Sequence, residues 1–139
     1  MLVSTRHPRP EGDKVIATRD EICAACDEYI ARLSKGDTEG IVALYDPDAR
    51  IEDPLGSEPK YGHEAIRGFY AAVAGISLTA TRLGPVTVVG HEAAFQFRID
   101  VPLGDDTISM VTTDLMSFDE SGKVTSMRAY ADADARPGT

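Results

Sequence analysis

The sequence predicts an α+β fold, three N-terminal helices packed on one face of a curved, mixed or antiparallel sheet. Three observations carry that expectation. Apolar residues recur at helical spacing as far as Gly75, the period falls to two beyond it, and the two regimes follow one another instead of alternating. The chain has 139 residues, 42% of them hydrophobic, which suits one domain with a sizeable core.

Residues 1–16 are rich in Pro, Gly and charge and read as a flexible leader, leaving a domain over 17–134 and a flexible tail at 135–139. Thr18 and Glu21 have the spacing of a capping box, and Ile22, Cys26, Tyr29, Ile30 and Leu33 follow on one helical face. Gly36 ends that helix. Asp37 can cap a short second one carrying Ile41, Leu44 and Tyr45. A strand over 49–53 leads into a Pro/Gly loop at 54–62, and a third helix carries Ile66, Phe69, Tyr70 and Val73 as far as Gly75. Strands are then expected near 77–83, 85–90, 92–101, 107–118 and 123–131. Gly104-Asp105-Asp106 and the run from Asp119 to Lys123 supply hairpin turns. The clearest strand sets Ala93, Phe95, Phe97, Ile99 and Val101 on one face against a mostly polar other face, the mark of a half-buried antiparallel strand.

A formal charge of −9 opposes phosphate backbones, so nucleic acid is not an expected partner. No apolar run approaches the roughly 18 residues of a membrane span, and the first ten residues lack the apolar stretch of a secretory signal. A cytoplasmic protein without membrane insertion is the simplest reading. Cys23 and Cys26 are spaced C-x-x-C, but within a helical pattern and with no second pair, so Cys26 reads as a small core residue. His7, His63 and His91 are scattered, and neither a metal nor a cofactor is expected.

Two carboxylates stand where apolar residues belong. In Arg50-Ile51-Glu52-Asp53-Pro54, strand alternation places Asp53 with Ile51 and turns Arg50 and Glu52 the other way; Pro54 then removes a backbone donor and stops the pairing. In the 107–118 strand, Asp114 falls in register with Met110, Met116 and Phe118. Three tyrosines, Tyr29, Tyr45 and Tyr70, lie on apolar stripes, and buried phenols need hydroxyl partners, so a hydrogen-bonded chain of them could polarise the last hydroxyl as a donor. Burial favours the neutral form of a carboxylic acid, so a neutral Asp114 would be a donor. Tyr29 and Asp114 could then hold a developing oxyanion, while Asp53, at a strand end beside a loop, stays ionised as a base. Such a set can abstract a proton next to a carbonyl.

At these residues the chain resembles the ketosteroid isomerases, steroid Δ5-3-oxo isomerases of the NTF2-like superfamily. The resemblance covers about residues 20–131. It includes Tyr29, Gly36-Asp37, Gly40 to Tyr45, Glu52-Asp53-Pro54, Gly56, Ala65-Ile66-Arg67, Phe69-Tyr70, Glu92 to Phe95, Asp114, Lys123-Val124 and Ser126 to Ala129. Those enzymes are themselves the established case of an aspartic acid kept neutral by an apolar site, so the logic of unlike carboxyl environments is theirs. The resemblance implies an NTF2-like cone. It implies Asp53 as the base that carries a proton from C4 to C6 of a 3-oxo-Δ5-steroid, and Tyr29 and protonated Asp114 as donors to the dienolate. Tyr45 and Tyr70 would support Tyr29. Ile99, Val101, Met116, Met127, Ala129, Ala131 and Phe69 would form or border an apolar steroid pocket, with no cofactor, in a homodimer packed through the outer sheet face.

Two positions depart from the family. Ala131 stands where a large aromatic is common near the base, and Val101 where some members have a bulky aromatic, which implies a wider pocket. Two further classes compete: a non-catalytic steroid- or lipid-binding module, and a related hydrolase, dehydratase or polyketide cyclase of the same fold. Dehydratases and cyclases often use His–Asp pairs, and no histidine falls at a strand position facing the pocket.

Overall fold

Helix α1 (Arg19–Lys35) starts where the side chain of Thr18 accepts from the Glu21 amide while Glu21 reaches back to the Thr18 amide. It buries Ile22, Cys26, Tyr29, Ile30 and Leu33, the stripe the spacing predicts. In this computed structural model, residues 17–135 are described. The expected leader over 1–16 lies outside them, as do residues 136–139 of the tail. Gly36 ends α1 in the left-handed region at φ 65°, where a side chain would be strained, and its amide bonds back to the last turn.

Helix α2 (Thr38–Val42) is capped by the Asp37 carboxylate on the Gly40 amide, and is shorter than the apolar spacing predicts. Leu44 and Tyr45 are not on it: Tyr45 opens strand β1 (Tyr45–Glu52). Pro47 bars any longer helix, because it disfavours helical backbone at Asp46 and cannot continue a helix itself, and β1 takes up the chain from Tyr45. Two residues of the expected 54–62 loop form a short strand, β2 (Lys60–Tyr61), paired with Arg50 and Ile51. Helix α3 (Gly62–Ala74) follows.

The remaining strands are β3 (Thr79–Val89), β4 (Glu92–Leu103), β5 (Asp106–Phe118) and β6 (Val124–Asp132). The two strands expected at 77–83 and 85–90 are one, β3, with a register shift between Leu83 and Thr87. Gly84 and Pro85 suggest a break. On an edge strand a proline costs no ladder bond, and the irregularity is absorbed as a bulge.

The six strands form one mixed sheet in the order β2-β1-β6-β5-β4-β3, with β1 and β6 parallel and every other pair antiparallel. The three helices cover one face. Between them lies a core of Ile22, Cys26, Ile30, Ile41, Ile51, Ile66, Phe95, Met116, Phe118 and Met127, all buried. None of the described helices is long and apolar enough to cross a membrane.

Candidate active site

The core does not fill the space between helices and sheet. α1 steps outward from Tyr29 to Leu33, α3 from Tyr70 to Val73, β4 from Phe97 to Val101 and β5 from Asp114 back to Met110. These elements, with Ile76 and Leu78 of the connection between α3 and β3, line a cavity of about 250 Å³. Its wall is apolar except for Tyr29, Asp53, Tyr70, Thr112 and Asp114.

Asp53 stands one residue beyond the end of β1, on the face of buried Ile51, and is half-buried. The loop after it is tied down on three sides. The Gly56 amide donates to Glu52 Oε2 at 2.7 Å, the Leu55 amide to the Ala129 carbonyl at 2.8 Å, and the Ser57 hydroxyl to the Pro54 carbonyl at 2.6 Å. Gly56 adopts φ 94°, open to glycine and strained for other residues. Arg50 and Glu52 turn away as alternation requires and pair with each other at 3.2 Å. Burial pushes the Asp53 carboxyl up from 3.8 to about 6, with Lys60 pulling in the opposite direction.

Asp114 lies on β5, opposite Phe95 of β4 and Ala129 of β6, and is 1% exposed. Burial first, and the Asp53 charge second, raise its pKa well above the ordinary value, which favours the protonated form. The Thr112 hydroxyl donates to its Oδ1 at 3.2 Å, and Thr112 and Tyr29 offset part of the rise.

Tyr29, Tyr70 and Tyr45 are each at most 2% exposed and joined in series, Tyr29 to Tyr70 at 2.9 Å and Tyr70 to Tyr45 at 2.7 Å between hydroxyl oxygens. They come from α1, α3 and the start of β1. Tyr29 is also held edge-on by the rings of Tyr70, Phe95 and Phe97, with centroids 6.1, 6.2 and 6.5 Å away. Burial raises the pKa of all three phenols, so they are neutral donors. If Tyr45 donates to Tyr70 and Tyr70 to Tyr29, the Tyr29 proton is left for the cavity.

A SnoaL-like domain profile matches residues 26–127, which span α1 to β6 and hold Tyr29, Asp53 and Asp114. The chain belongs to the SnoaL-like family. It is 41% identical over 110 residues to a steroid Delta-isomerase of Nocardioides simplex, covering 79% of this chain and 89% of that one, which supports an isomerase. It is also 32% identical over 88 residues to epoxide hydrolase LasB of Streptomyces lasalocidi, 63% of this chain and 28% of LasB. The epoxide hydrolase/cyclase-like enzyme SalBIII, from pyran ring formation in the polyether salinomycin, has the same NTF2-like cone. Its TM-score is 0.76 at 21% identity, over 84% of this chain and 95% of SalBIII.

The cavity of this SnoaL-like protein gathers most of the residues singled out from sequence, but not all. Tyr29, Asp53, Asp114, Tyr70, Phe69, Ile99, Val101 and Ala131 line it. Tyr45 sits behind Tyr70. Met116, Met127 and Ala129, expected at the pocket, are buried in the core instead, at 1%, 0% and 2% exposure. Strand alternation fixes the face a side chain is on but not its depth: the cavity takes up β5 from Met110 to Asp114, and Met116 lies past its floor. Leu33, Val73, Ile76, Leu78, Phe97, Met110 and Thr112 complete the wall. Phe97 and Met110 were findable by their register with Ile99 and Asp114, whereas Ile76 and Leu78 sit on a connection with no pattern. Cys26 is in the core, where burial above all pushes its thiol up to about 12, a poor redox group. His63 is on α3, its Nε2 2.8 Å from the Tyr45 carbonyl. Among the described residues no three His, Cys, Asp or Glu side chains cluster as metal ligands.

Proposed function

We propose that this protein is a steroid Δ5-3-oxo isomerase. The observation that carries the proposal is the pairing, in one apolar cavity, of a carboxylate with a pKa of about 6 and a carboxylic acid held neutral beside a buried tyrosine. A flat, apolar ring system fits such walls. Its ketone oxygen would lie between Tyr29 and Asp114 at the floor, with Asp53 over the adjacent carbon.

Asp53 removes a proton from C4, and the C–H electron pair moves into the ring as the C3 carbonyl becomes a dienolate. Tyr29 and neutral Asp114 each donate a hydrogen bond to that oxygen, where charge develops, in a site with little water to compete. The Tyr45–Tyr70–Tyr29 series polarises the Tyr29 hydroxyl as charge builds up. Asp53 then returns the proton at C6, the carbonyl re-forms as a conjugated Δ4-3-ketone, and the base is restored. A base near pKa 6 is a stronger proton acceptor than an ordinary aspartate and is still mostly ionised at pH 7. The 41% identical steroid Delta-isomerase supports the same reading.

Opening of an epoxide is the second reading. It is favoured by the two carboxyl groups in unlike states and by the likeness to LasB: Asp114 would protonate the ring oxygen while Asp53 takes the proton of the attacking hydroxyl or water. A non-catalytic steroid- or lipid-binding module would use the same apolar wall and leave the carboxyls idle. Our proposal includes a cytoplasmic homodimer packed through the outer sheet face, where Val89 and Tyr130 are 73% and 43% exposed.

A 3-oxo-Δ5-steroid deuterated at C4 separates these readings. Isomerisation by one shuttling base yields a conjugated ketone that carries part of the label at C6. Unchanged steroid, together with hydrolysis of an epoxide offered in parallel, would replace our proposal with the second reading. Binding without conversion of either would leave the binding module.

A further inference from the structure

Lys60 is the cation that shares a strand face with the base; Arg128, opposite Glu52 on β6, lies on the other face. Lys60 pairs directly opposite Ile51 across the β1–β2 ladder, and Asp53 lies two residues beyond Ile51 on the same face. Asp53 lies just past the end of that ladder, within reach of a long side chain at Lys60, whose charge acts on its carboxyl. Its ammonium stands 5.5 Å from the centroid of the Phe69 ring, and Phe69 and Asp53 line the cavity together. The Phe69 ring meets Tyr70 edge-on at 5.0 Å, so this contact also braces the wall beside the tyrosine series.

An aromatic ring holds an ammonium without neutralising it. The ion pairs among the described residues use other partners, so the charge of Lys60 is left to act on Asp53. The other charged or titratable groups packed around Asp53 cannot take its place. Asp114 of β5, Tyr29 of α1 and Tyr70 of α3 share the cavity, Tyr45 of β1 lies behind them, and burial favours the uncharged form of all four. Arg50 and Glu52 of β1 point to the opposite face and pair together, and Arg128 of β6 acts on Glu52.

We propose that Lys60 is a positioning residue for the base, holding the charge of Asp53 and the Phe69 wall from the rim of the cavity. The proposal rests on the reading of Asp53 as the base. Without Lys60, burial acts on Asp53 unopposed and the carboxyl takes up a proton more readily.

The test is the pH profile of kcat/KM for isomerisation in Lys60→Met and Lys60→Arg, whose acid limb reports the free enzyme's base. In Lys60→Met the limb should move to higher pH by about 0.5–1 unit, the size expected of one nearby charge through partly aqueous surroundings. The loss at pH 5 should then exceed the loss at pH 8 by about three- to tenfold. Lys60→Arg should keep the limb in place. A uniform loss at every pH, or an unmoved limb in Lys60→Met, overturns the proposal while leaving the base reading intact. An Asp53→Asn variant that still turns over would instead remove the base reading on which the proposal stands.

Discussion

Asp53 and Asp114 share a residue type and a cavity, yet the surroundings divide their roles. Asp114 is fully buried on a strand, beside the Thr112 and Tyr29 hydroxyls and a neighbouring negative charge, and burial favours its protonated form. Asp53 is at a strand end, half-buried, with an ammonium nearby, and gives its proton up near pH 6. The proposed isomerisation requires the ionised form, so kcat/KM should fall as pH drops through about 6, which a pH–rate profile checks. Asp53→Asn should remove most turnover but not binding of a product-like steroid, as read by calorimetry. Tyr29→Phe and Asp114→Asn should each lower kcat, on the order of 10²–10³ for a lost oxyanion donor, with Tyr29→Phe the worse because asparagine retains an amide donor. Negligible loss at both would refute the oxyanion hole.

Asp53 also bears on stability. The folded pKa of Asp53 lies above its unfolded value, so the folded state binds more protons between about pH 4 and 6, and stability declines as pH rises through that window. Above it the penalty is at most about 3 kcal/mol. Asp53→Asn should therefore stabilise the protein at pH 7 in urea denaturation, and the gain should disappear at pH 4.

At the scale of elements, the capping residues decide where α1 lies, and α1 delivers Tyr29. Gly36→Ala tests this without crowding, because an added Cβ would meet the Ala74 Cβ at an ordinary 3.6 Å. Its effect would come from the left-handed backbone, about 1 kcal/mol in denaturant unfolding. The buried face of α1 and the places of Asp53 and Asp114 at the cavity are legible in the sequence because each follows from a period and a position along it. The end of α2 at Val42 is not legible in the sequence, since Ile41, Leu44 and Tyr45 keep helical spacing beyond it. β2 was hidden because two residues are too few to show a period. Met116, Met127 and Ala129 share faces with cavity residues, and only the assembled cone shows that they lie below its floor.

At the scale of the molecule, the three helices and six strands of the described residues leave a cavity between them, and that cavity is the candidate site. NTF2-like cones host many activities, so the fold does not choose among them; the cavity's residues do. In the dimer of our proposal, sedimentation should give twice the chain mass of 14.9 kDa. The central claim, that Asp53 shuttles a proton across a dienolate held by Tyr29 and Asp114, is tested most directly by ultraviolet absorbance. Purified protein is mixed with 5-androstene-3,17-dione beside an Asp53→Asn control. A rise in conjugated-enone absorbance that the control lacks is the predicted result. An equal rise in both, or none in either, would contradict the claim.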